Sequence, residues 1–271
     1  MLSDITLGQF YPGHSLIHRL DPRTKIILTF LFIIIVFLAE NAFSYFFLIA
    51  VVGAVIALSQ LPWGMVLRSL KPLAFIIVLT LGIHVLTGVG GDILYKWYFI
   101  TITREGIELG IKMSMRLILL LLVSSVLTFT TSPIVLTDGL EALLRPFKRV
   151  GVPAHELAMM MTIALRFIPT LLDETDKIIK AQTARGADFS SGNLLQKAKN
   201  MLPVLIPLFI SAFRRADELA IAMEARCYRG GEGRTRMHEL VYTREDKLAF
   251  IFMGVLVLFM IGLRLSVFLP F

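Results

Sequence analysis

Charged residues and cysteine are scarce in this sequence of 271 residues. Only 17% of the residues are Asp, Glu, Lys or Arg, whereas soluble domains carry roughly 25%. The single cysteine excludes an internal disulfide framework and a cysteine-rich metal site. Hydrophobic residues make up 56% of the chain. A surface so poor in charge indicates an integral membrane protein.

The sequence also lacks the short motifs of common catalytic centres. It contains no G-x-x-x-x-G-K-[ST] phosphate loop, no H-E-x-x-H zinc motif and no G-x-S-x-G nucleophile motif. His14 and His18 are four residues apart but have no third metal ligand nearby. His84 has no ionisable partner in its apolar run, and a proton relay normally needs one. We therefore predict no catalytic residue, no metal and no cofactor in the chain.

Long apolar runs predict about five membrane-spanning helices, because a span needs about 20 mostly apolar residues. We predict an all-α integral membrane protein in three parts: a membrane region at 1–132, a cytoplasmic segment of amphipathic helices at 133–247, and a last span within 248–271. Residues 201–213 are apolar, but this run is short and contains two prolines, so it is not assigned as a span. The predicted spans are about 26–39, 42–59, 72–89, 113–132 and 248–263.

The basic residues predict the orientation in the membrane, because cytoplasmic loops are enriched in Lys and Arg. With the N-terminus inside, 22 of the 27 Lys and Arg residues are cytoplasmic and five lie towards the other side. We therefore expect a cytoplasmic N-terminus and an external C-terminus in the cell membrane. The net charge of +7 is then a signal of topology, and no nucleic-acid partner is expected.

A short repeat with an offset of 41 residues lies in the predicted cytoplasmic segment. Residues 181–186 (AQTARG) align with 222–227 (AMEARC), and each copy ends an amphipathic helical pattern. Arg185 and Arg226 each follow an apolar residue by seven positions, so each arginine continues the apolar face of its helix. Each also lies near the C-terminus of its helix, where a cation is favourable.

Two interpretations of these arginines remain open at this point. Each guanidinium can stabilise its own helix end or pair with a lipid headgroup. Alternatively, two guanidinium groups beside small alanines are suited to two similar sockets on a partner, where a carboxylate accepts a bidentate hydrogen bond. Two such sockets imply a dimeric partner or two related subunits.

The chain resembles a known family at these residues, and the resemblance covers nearly its whole length. The family is the transmembrane T component of energy-coupling factor (ECF) transporters, which includes the membrane subunit of cobalt transport. Cys227 departs from the commoner Gly at the end of the second motif. The matching features are His18–Lys25 (HRLDPRTK), Arg166–Pro169 (RFIP), Ala184-Arg185-Gly186 and Ala225-Arg226-Cys227.

The resemblance implies a non-catalytic subunit that joins two cytoplasmic ATP-binding-cassette ATPases to a substrate-binding membrane protein, the S component. In this family, the motif-bearing segments act as coupling helices and their arginines dock into grooves on the ATPases. The residues expected to dock are Ala184, Arg185, Gly186, Ala225, Arg226 and Cys227. Flexible Met-rich surfaces adapt to different partners, so we expect the S component to contact Met159, Met160, Met161, Met201, Leu205 and Phe209.

The sequence therefore predicts the energy-coupling membrane subunit of an ATP-driven importer of vitamins or other micronutrients. Two alternatives remain open: an intramembrane enzyme acting on lipid or peptide, and a self-contained secondary carrier. The near absence of ionisable residues in the spans disfavours both of them. By this resemblance, the S component determines which substrate is transported, so the sequence of this chain does not identify it.

Overall fold

A computed structural model describes residues 10–87, 93–97, 100–189, 193–231 and 239–268. These residues form ten α-helices, two β-strands and two short 3₁₀ segments, at Lys71–Leu73 and Arg145–Val150. The helices are α1 (Leu16–Arg19), α2 (Pro22–Leu38), α3 (Ala42–Ser59), α4 (Trp63–Arg68), α5 (Ala74–Thr87), α6 (Arg104–Thr130), α7 (Pro133–Leu144), α8 (Ala154–Ala184), α9 (Leu194–Ala225) and α10 (Arg244–Phe268).

The chain divides into two compact units, which are described separately. The spanning unit consists of the described residues within 8–140 and 240–271. The motif unit consists of the described residues within 141–239 and contains both arginine motifs.

Side chains from α2, α3, α6 and α10 form the core of the spanning unit. The outer faces of the same helices carry large exposed side chains such as Phe30, Phe46 and Phe252, as expected of helices that face lipid. Helix α5 approaches α6 closely at Gly110, where an added Cβ would lie 3.2 Å from the Leu81 carbonyl oxygen. The deeply buried core residues include Ile35, Val36, Leu48, Val52, Leu119 and Met260.

Five helices within the described residues are long and apolar enough to cross a membrane, which confirms the predicted all-α membrane class. This set differs from the predicted spans in two members. Helix α2, the first predicted span, has 17 residues and is not among the five. Helix α8 is included, although it was predicted to be cytoplasmic, whereas α9, which contains 201–213, is not. The five segments are Ala42–Ser59, Trp63–Thr87, Arg104–Thr130, Ala154–Ala184 and Arg244–Leu265.

A short antiparallel hairpin precedes α6 and was not predicted from the sequence. Its strands are β1 (Ile93–Trp97) and β2 (Ile100–Thr103), with Trp97 opposite Ile100. The run is rich in aromatic and β-branched residues, which favour strands. Residues 88 and 89 at the end of the predicted third span lie outside the described residues.

Buried polar contacts join α2 to α10 in the spanning unit. The Asp246 carboxylate is fully buried and accepts hydrogen bonds from the Asp21 backbone N–H (2.9 Å) and the Thr243 backbone N–H (2.8 Å). Asp21 also caps α2 and pairs with Arg23 at 2.8 Å. The Arg23 guanidinium lies 4.1 Å from the centre of the Tyr242 ring. These contacts fix the beginning of the last helix against the beginning of α2.

Lys25 joins α2 to the end of α6. Its buried ammonium group donates to the carbonyl oxygens of His18 (3.1 Å) and Thr130 (2.9 Å) and to the Thr131 hydroxyl (3.3 Å). Three acceptors use all three ammonium protons, which offsets the cost of burying the charge.

The long helices α8 and α9 of the motif unit run antiparallel. Three contacts along the pair show this direction. The end of α8 contacts the beginning of α9, the middles of the two helices contact each other, and the residue after the end of α9 contacts the beginning of α8. Each helix is about 45 Å long, so the two motifs lie at opposite ends of the pair, roughly 40 Å apart. The contacts are Gln182 to Pro203 (3.4 Å), Glu174 to Arg215 (3.6 Å) and Met159 to Tyr228 (3.0 Å).

Candidate functional site

Both arginine motifs end a long helix with the same backbone conformation. Arg185 caps α8 with φ −87° and ψ 7°, and Arg226 caps α9 with φ −93° and ψ 15°. The next residue is left-handed in both motifs, with φ 86° at Gly186 and 56° at Cys227. The sequence repeat is therefore also a repeat of local structure.

The hydrogen bonds that close the two turns are equivalent atom by atom. In each motif the two amides after the arginine donate to carbonyls of the last helical turn, which is the Schellman arrangement of helix ends. Each acceptor and donor of the second motif follows its counterpart by the 41 residues of the repeat. The bonds are Gly186 N–H to Thr183 O (2.9 Å), Ala187 N–H to Gln182 O (3.0 Å), Cys227 N–H to Glu224 O (2.8 Å) and Tyr228 N–H to Met223 O (3.0 Å).

Cys227 keeps the turn that a glycine favours. Glycine enters the left-handed region readily because it has no Cβ, whereas other L-residues are strained there by roughly 1–2 kcal/mol. The second motif thus adopts the same geometry as the first at a higher conformational cost.

The predicted docking residues are all on the surface. Ala184, Arg185 and Gly186 are exposed at the end of α8, and Ala225, Arg226 and Cys227 are exposed at the end of α9. Within the described part of the chain, neither the Arg185 nor the Arg226 side chain has an ion-pair or hydrogen-bond partner. Both guanidinium groups are therefore available to bind an external carboxylate, and the adjacent alanines leave room for its approach.

The predicted apolar contact residues are mostly exposed as well. Met160 (57% exposed) and Phe209 (61% exposed) represent α8 and α9, and Met161, Met201 and Leu205 are also exposed. Met159 differs, because it is half-buried and its sulfur lies 3.0 Å from the Tyr228 hydroxyl. The exposed face of α9 continues through Leu202, Ile206, Ile210 and Phe213.

The beginning of α9 supports the turn of the first motif. The Asn200 side chain donates to the Asp188 carbonyl oxygen at 2.8 Å. The Gln182 amide donates to the Pro203 carbonyl oxygen at 3.4 Å. Because Pro207 has no N–H, that carbonyl lacks its usual partner within the helix. An open cleft of about 510 Å³ adjoins this turn, lined by Gly186, Ala187, Asp188, Gln196, Lys199, Asn200 and Pro203.

A chain of side chains supports the turn of the second motif. The Tyr228 hydroxyl lies 3.1 Å from His155 Nε2, and His155 Nδ1 lies 3.0 Å from Glu141 Oε1. Sequence analysis missed all three residues. The available signal was a break in the repeat, since Tyr228 stands where the first motif has Ala187.

Two of the three histidines considered as metal ligands or proton carriers, His18 and His84, are bound to protein groups. His18 Nδ1 lies 2.7 Å from the Ser15 hydroxyl, and His18 Nε2 lies 3.0 Å from the Tyr11 carbonyl oxygen. His84 Nδ1 lies 2.8 Å from the Thr80 carbonyl oxygen of its own helix. These contacts agree with a structural role for both residues.

Comparison with known proteins identifies the family. Residues 13–238 match the family model CbiQ, described as cobalt transport protein. The chain is 67% identical over 264 residues to the "Energy-coupling factor transporter transmembrane protein EcfT" of Acidaminococcus fermentans, covering 97% of this chain and 98% of the relative. Proteins of the same name from Ruminiclostridium cellulolyticum and Bacillus subtilis are 58% and 47% identical, over 96% and 97% of this chain and 96% and 100% of the relatives.

These relatives confirm the family expected from the motifs, and their names agree with the energy-coupling interpretation and not with an enzyme or a secondary carrier. A matched family model and relatives of nearly the same length both place the chain in a membrane transport family. This multi-pass membrane protein therefore belongs to the cobalt transport protein family, among the transmembrane proteins of energy-coupling factor transporters.

Proposed function

We propose that this chain is the energy-coupling subunit of an ATP-driven ECF importer of vitamins or other micronutrients. It transmits the movement of two ATPases to a substrate-binding S component in the membrane. The matched geometry of the two arginine motifs carries this proposal. Two helix ends with the same turn and an exposed, unpaired arginine are suited to two similar grooves.

Arg185 and Arg226 are the docking groups in this proposal. A guanidinium binds a carboxylate with two parallel hydrogen bonds, which gives the contact a set direction as well as strength. The turn places each arginine at the tip of its helix, so that a groove can enclose the side chain without displacing the helix body. The roughly 40 Å between the motifs lets each bind a different ATPase.

The two motifs lie on one pair of packed antiparallel helices, and this pair converts ATPase movement into movement in the membrane. When the ATPases close, both ends of the α8–α9 pair are displaced together. The apolar face around Met160, Met161, Met201, Leu205 and Phe209 then carries this displacement to the S component. Large exposed apolar patches mark interaction sites, so this face is suited to bind a partner protein.

The subunit itself is non-catalytic in this proposal, and ATP is hydrolysed by its partners. The N-terminus and the motif unit lie in the cytoplasm, where the ATPases are, and the C-terminus lies outside. We assign α8 to the cytoplasmic side although it is long enough to span, since Asp173, Glu174, Asp176 and Lys177 lie in its second half.

Charge reversal of the two arginines tests the proposal. Removing one partner of a buried hydrogen-bonded charge pair costs about 2–5 kcal/mol, and each 1.4 kcal/mol is about tenfold in affinity. Arg185→Glu or Arg226→Glu should therefore weaken ATPase binding by at least about 30-fold. The measurements are co-purification of the ATPases with the tagged chain and uptake of the substrate by cells.

Arg149→Glu is the matched control, since Arg149 is exposed in the same unit and lies outside the motifs. The control should keep full assembly and uptake. The double variant Arg185→Glu/Arg226→Glu should reach the membrane in normal amounts and transport nothing. Normal ATPase binding and uptake by this double variant would refute the docking assignment.

A further inference from the structure

Four residues form one hydrogen-bonded chain in the motif unit. Glu141 lies near the end of α7, His155 and Met159 lie in the first turns of α8, and Tyr228 follows the second arginine motif. The successive distances are 3.0 Å from Glu141 to His155, 3.1 Å from His155 to Tyr228 and 3.0 Å from Tyr228 to Met159. The chain thus ties the end of α9 to the beginning of α8 two residues beyond Arg226.

The His155–Tyr228 hydrogen bond forms whether His155 is neutral or charged, whereas the Tyr228–Met159 bond forms only when Tyr228 does not donate to His155. In the neutral ring, Nδ1–H donates to the Glu141 carboxylate and Nε2 accepts the Tyr228 hydroxyl proton. In the charged ring, both nitrogens donate, and the Tyr228 hydroxyl turns its proton towards the Met159 sulfur. Each form keeps Tyr228 bound to His155, so the link does not depend on one protonation state.

The backbone after Tyr228 also packs closely on the histidine ring. A Cβ added at Gly231 would lie 2.6 Å from His155 Cδ2, so only glycine permits this approach. The ring is therefore held through its nitrogens by Glu141 and Tyr228 and covered by Gly231. Because the His155 ring is held in this way, it restrains the backbone that follows Arg226.

We propose that Glu141, His155 and Tyr228 form a latch that fixes the direction of the second arginine motif. The latch has no equivalent at the corresponding position of the first motif, where the Ala187 methyl group cannot form a hydrogen bond. The two motifs are therefore held in different ways, the first by Asn200 at the Asp188 carbonyl oxygen and the second by the latch. Arg226 is held ready to bind by side chains on α7 and α8, and all three latch residues are positioning residues.

The lone cysteine reports the state of the latch directly, because Cys227 is exposed and adjoins Tyr228. We would attach a nitroxide spin label to Cys227 of the full-length chain in detergent and record its mobility. Tyr228→Phe and His155→Ala should each shorten the rotational correlation time at least twofold. His155→Gln should restore most of it, since an amide can still hydrogen-bond the Tyr228 hydroxyl.

Tyr242→Phe is the matched control and should leave the label unchanged, since its aromatic ring is kept and Tyr242 lies in the other unit. Unchanged mobility in both Tyr228→Phe and His155→Ala would overturn the latch, whether or not the arginines dock. If His155→Gln restores the rotational correlation time, the effect of His155→Ala comes from the lost hydrogen bond and not from a general loss of packing. If His155→Gln does not restore it, this result would also count against the latch.

The positioning role rests on the proposed function and has its own test. In an Arg185→Glu background, an ATPase is held by the second motif alone. Adding Tyr228→Phe should then weaken its binding about two- to tenfold, the usual effect of losing the order of one side chain. In an Arg226→Glu background the same change should have no effect. A mobile label with unchanged binding would overturn the positioning role and leave the hydrogen-bonded chain as a structural contact, whereas the docking of Arg226 is refuted only by its own charge-reversal test.

Discussion

Substituting the residue that follows each arginine should change the stability of the two turns in opposite directions. Gly186 and Cys227 occupy equivalent left-handed positions, with φ 86° and 56°. Gly186→Ala places a side chain in a region that glycine favours, and Cys227→Gly removes one from it. The first change should therefore destabilise its turn, and the second should stabilise its turn.

The magnitude follows from the backbone alone. A Cβ added at Gly186 meets no atom within 4 Å, so no steric contact with neighbouring residues contributes. A left-handed L-residue costs roughly 1–2 kcal/mol, and the greater freedom of glycine in the unfolded chain offsets about 0.5–1 kcal/mol of this. Each substitution should therefore change the free energy of opening its turn by about 1 kcal/mol, which is about fivefold in the opening equilibrium.

Hydrogen exchange resolved to single amides measures both turns in one protein. The Ala187 amide should exchange about fivefold faster in Gly186→Ala, and the Tyr228 amide about fivefold slower in Cys227→Gly, after correction for intrinsic rates. Gly53→Ala is the control, because Gly53 lies within a helix and its added Cβ also meets nothing within 4 Å. Faster exchange at Tyr228 in Cys227→Gly, or no change in either turn, would refute the strain argument.

Three further results are expected. Lys25→Met should lower the free energy of unfolding by about 2–4 kcal/mol, since three acceptors, two of them on buried residues, lose their donor, and a thermal melt followed by size-exclusion chromatography measures it. An impermeant maleimide should label Cys227 in inside-out vesicles, and labelling in intact cells would contradict the cytoplasmic assignment of the motifs. The purified chain alone should neither hydrolyse ATP nor bind a vitamin or metal ion tightly, and stoichiometric binding by the isolated chain would favour a carrier.

The sequence predicted those parts of the fold that depend on local pattern. Apolar runs located the helices of the spanning unit, with α3 found at the predicted residues 42–59. The repeat located the ends of α8 and α9, because the same residue types at the same spacing stop a helix in the same way. The hairpin at β1 and β2 was not predicted, because its strands have only five and four residues and do not form a long apolar run.

The contacts between distant residues could not be predicted. Asp21 and Asp246 are 225 positions apart, and nothing in either local pattern indicates the other. Amphipathic periodicity identified an apolar face on α8 and α9 but not the antiparallel pairing that separates the two motifs. The link from Tyr228 to His155 depends on that pairing, so it was beyond the reach of the sequence.

The number of ATPases bound per chain tests the central claim most directly. Native mass spectrometry of the complex released from detergent counts the subunits in each assembly. The account predicts two ATPases with the unaltered chain, weakened retention of one of them in Arg185→Glu or Arg226→Glu, and none in the double variant. Two ATPases retained by the double variant would contradict the claim that these arginines hold the ATPase pair.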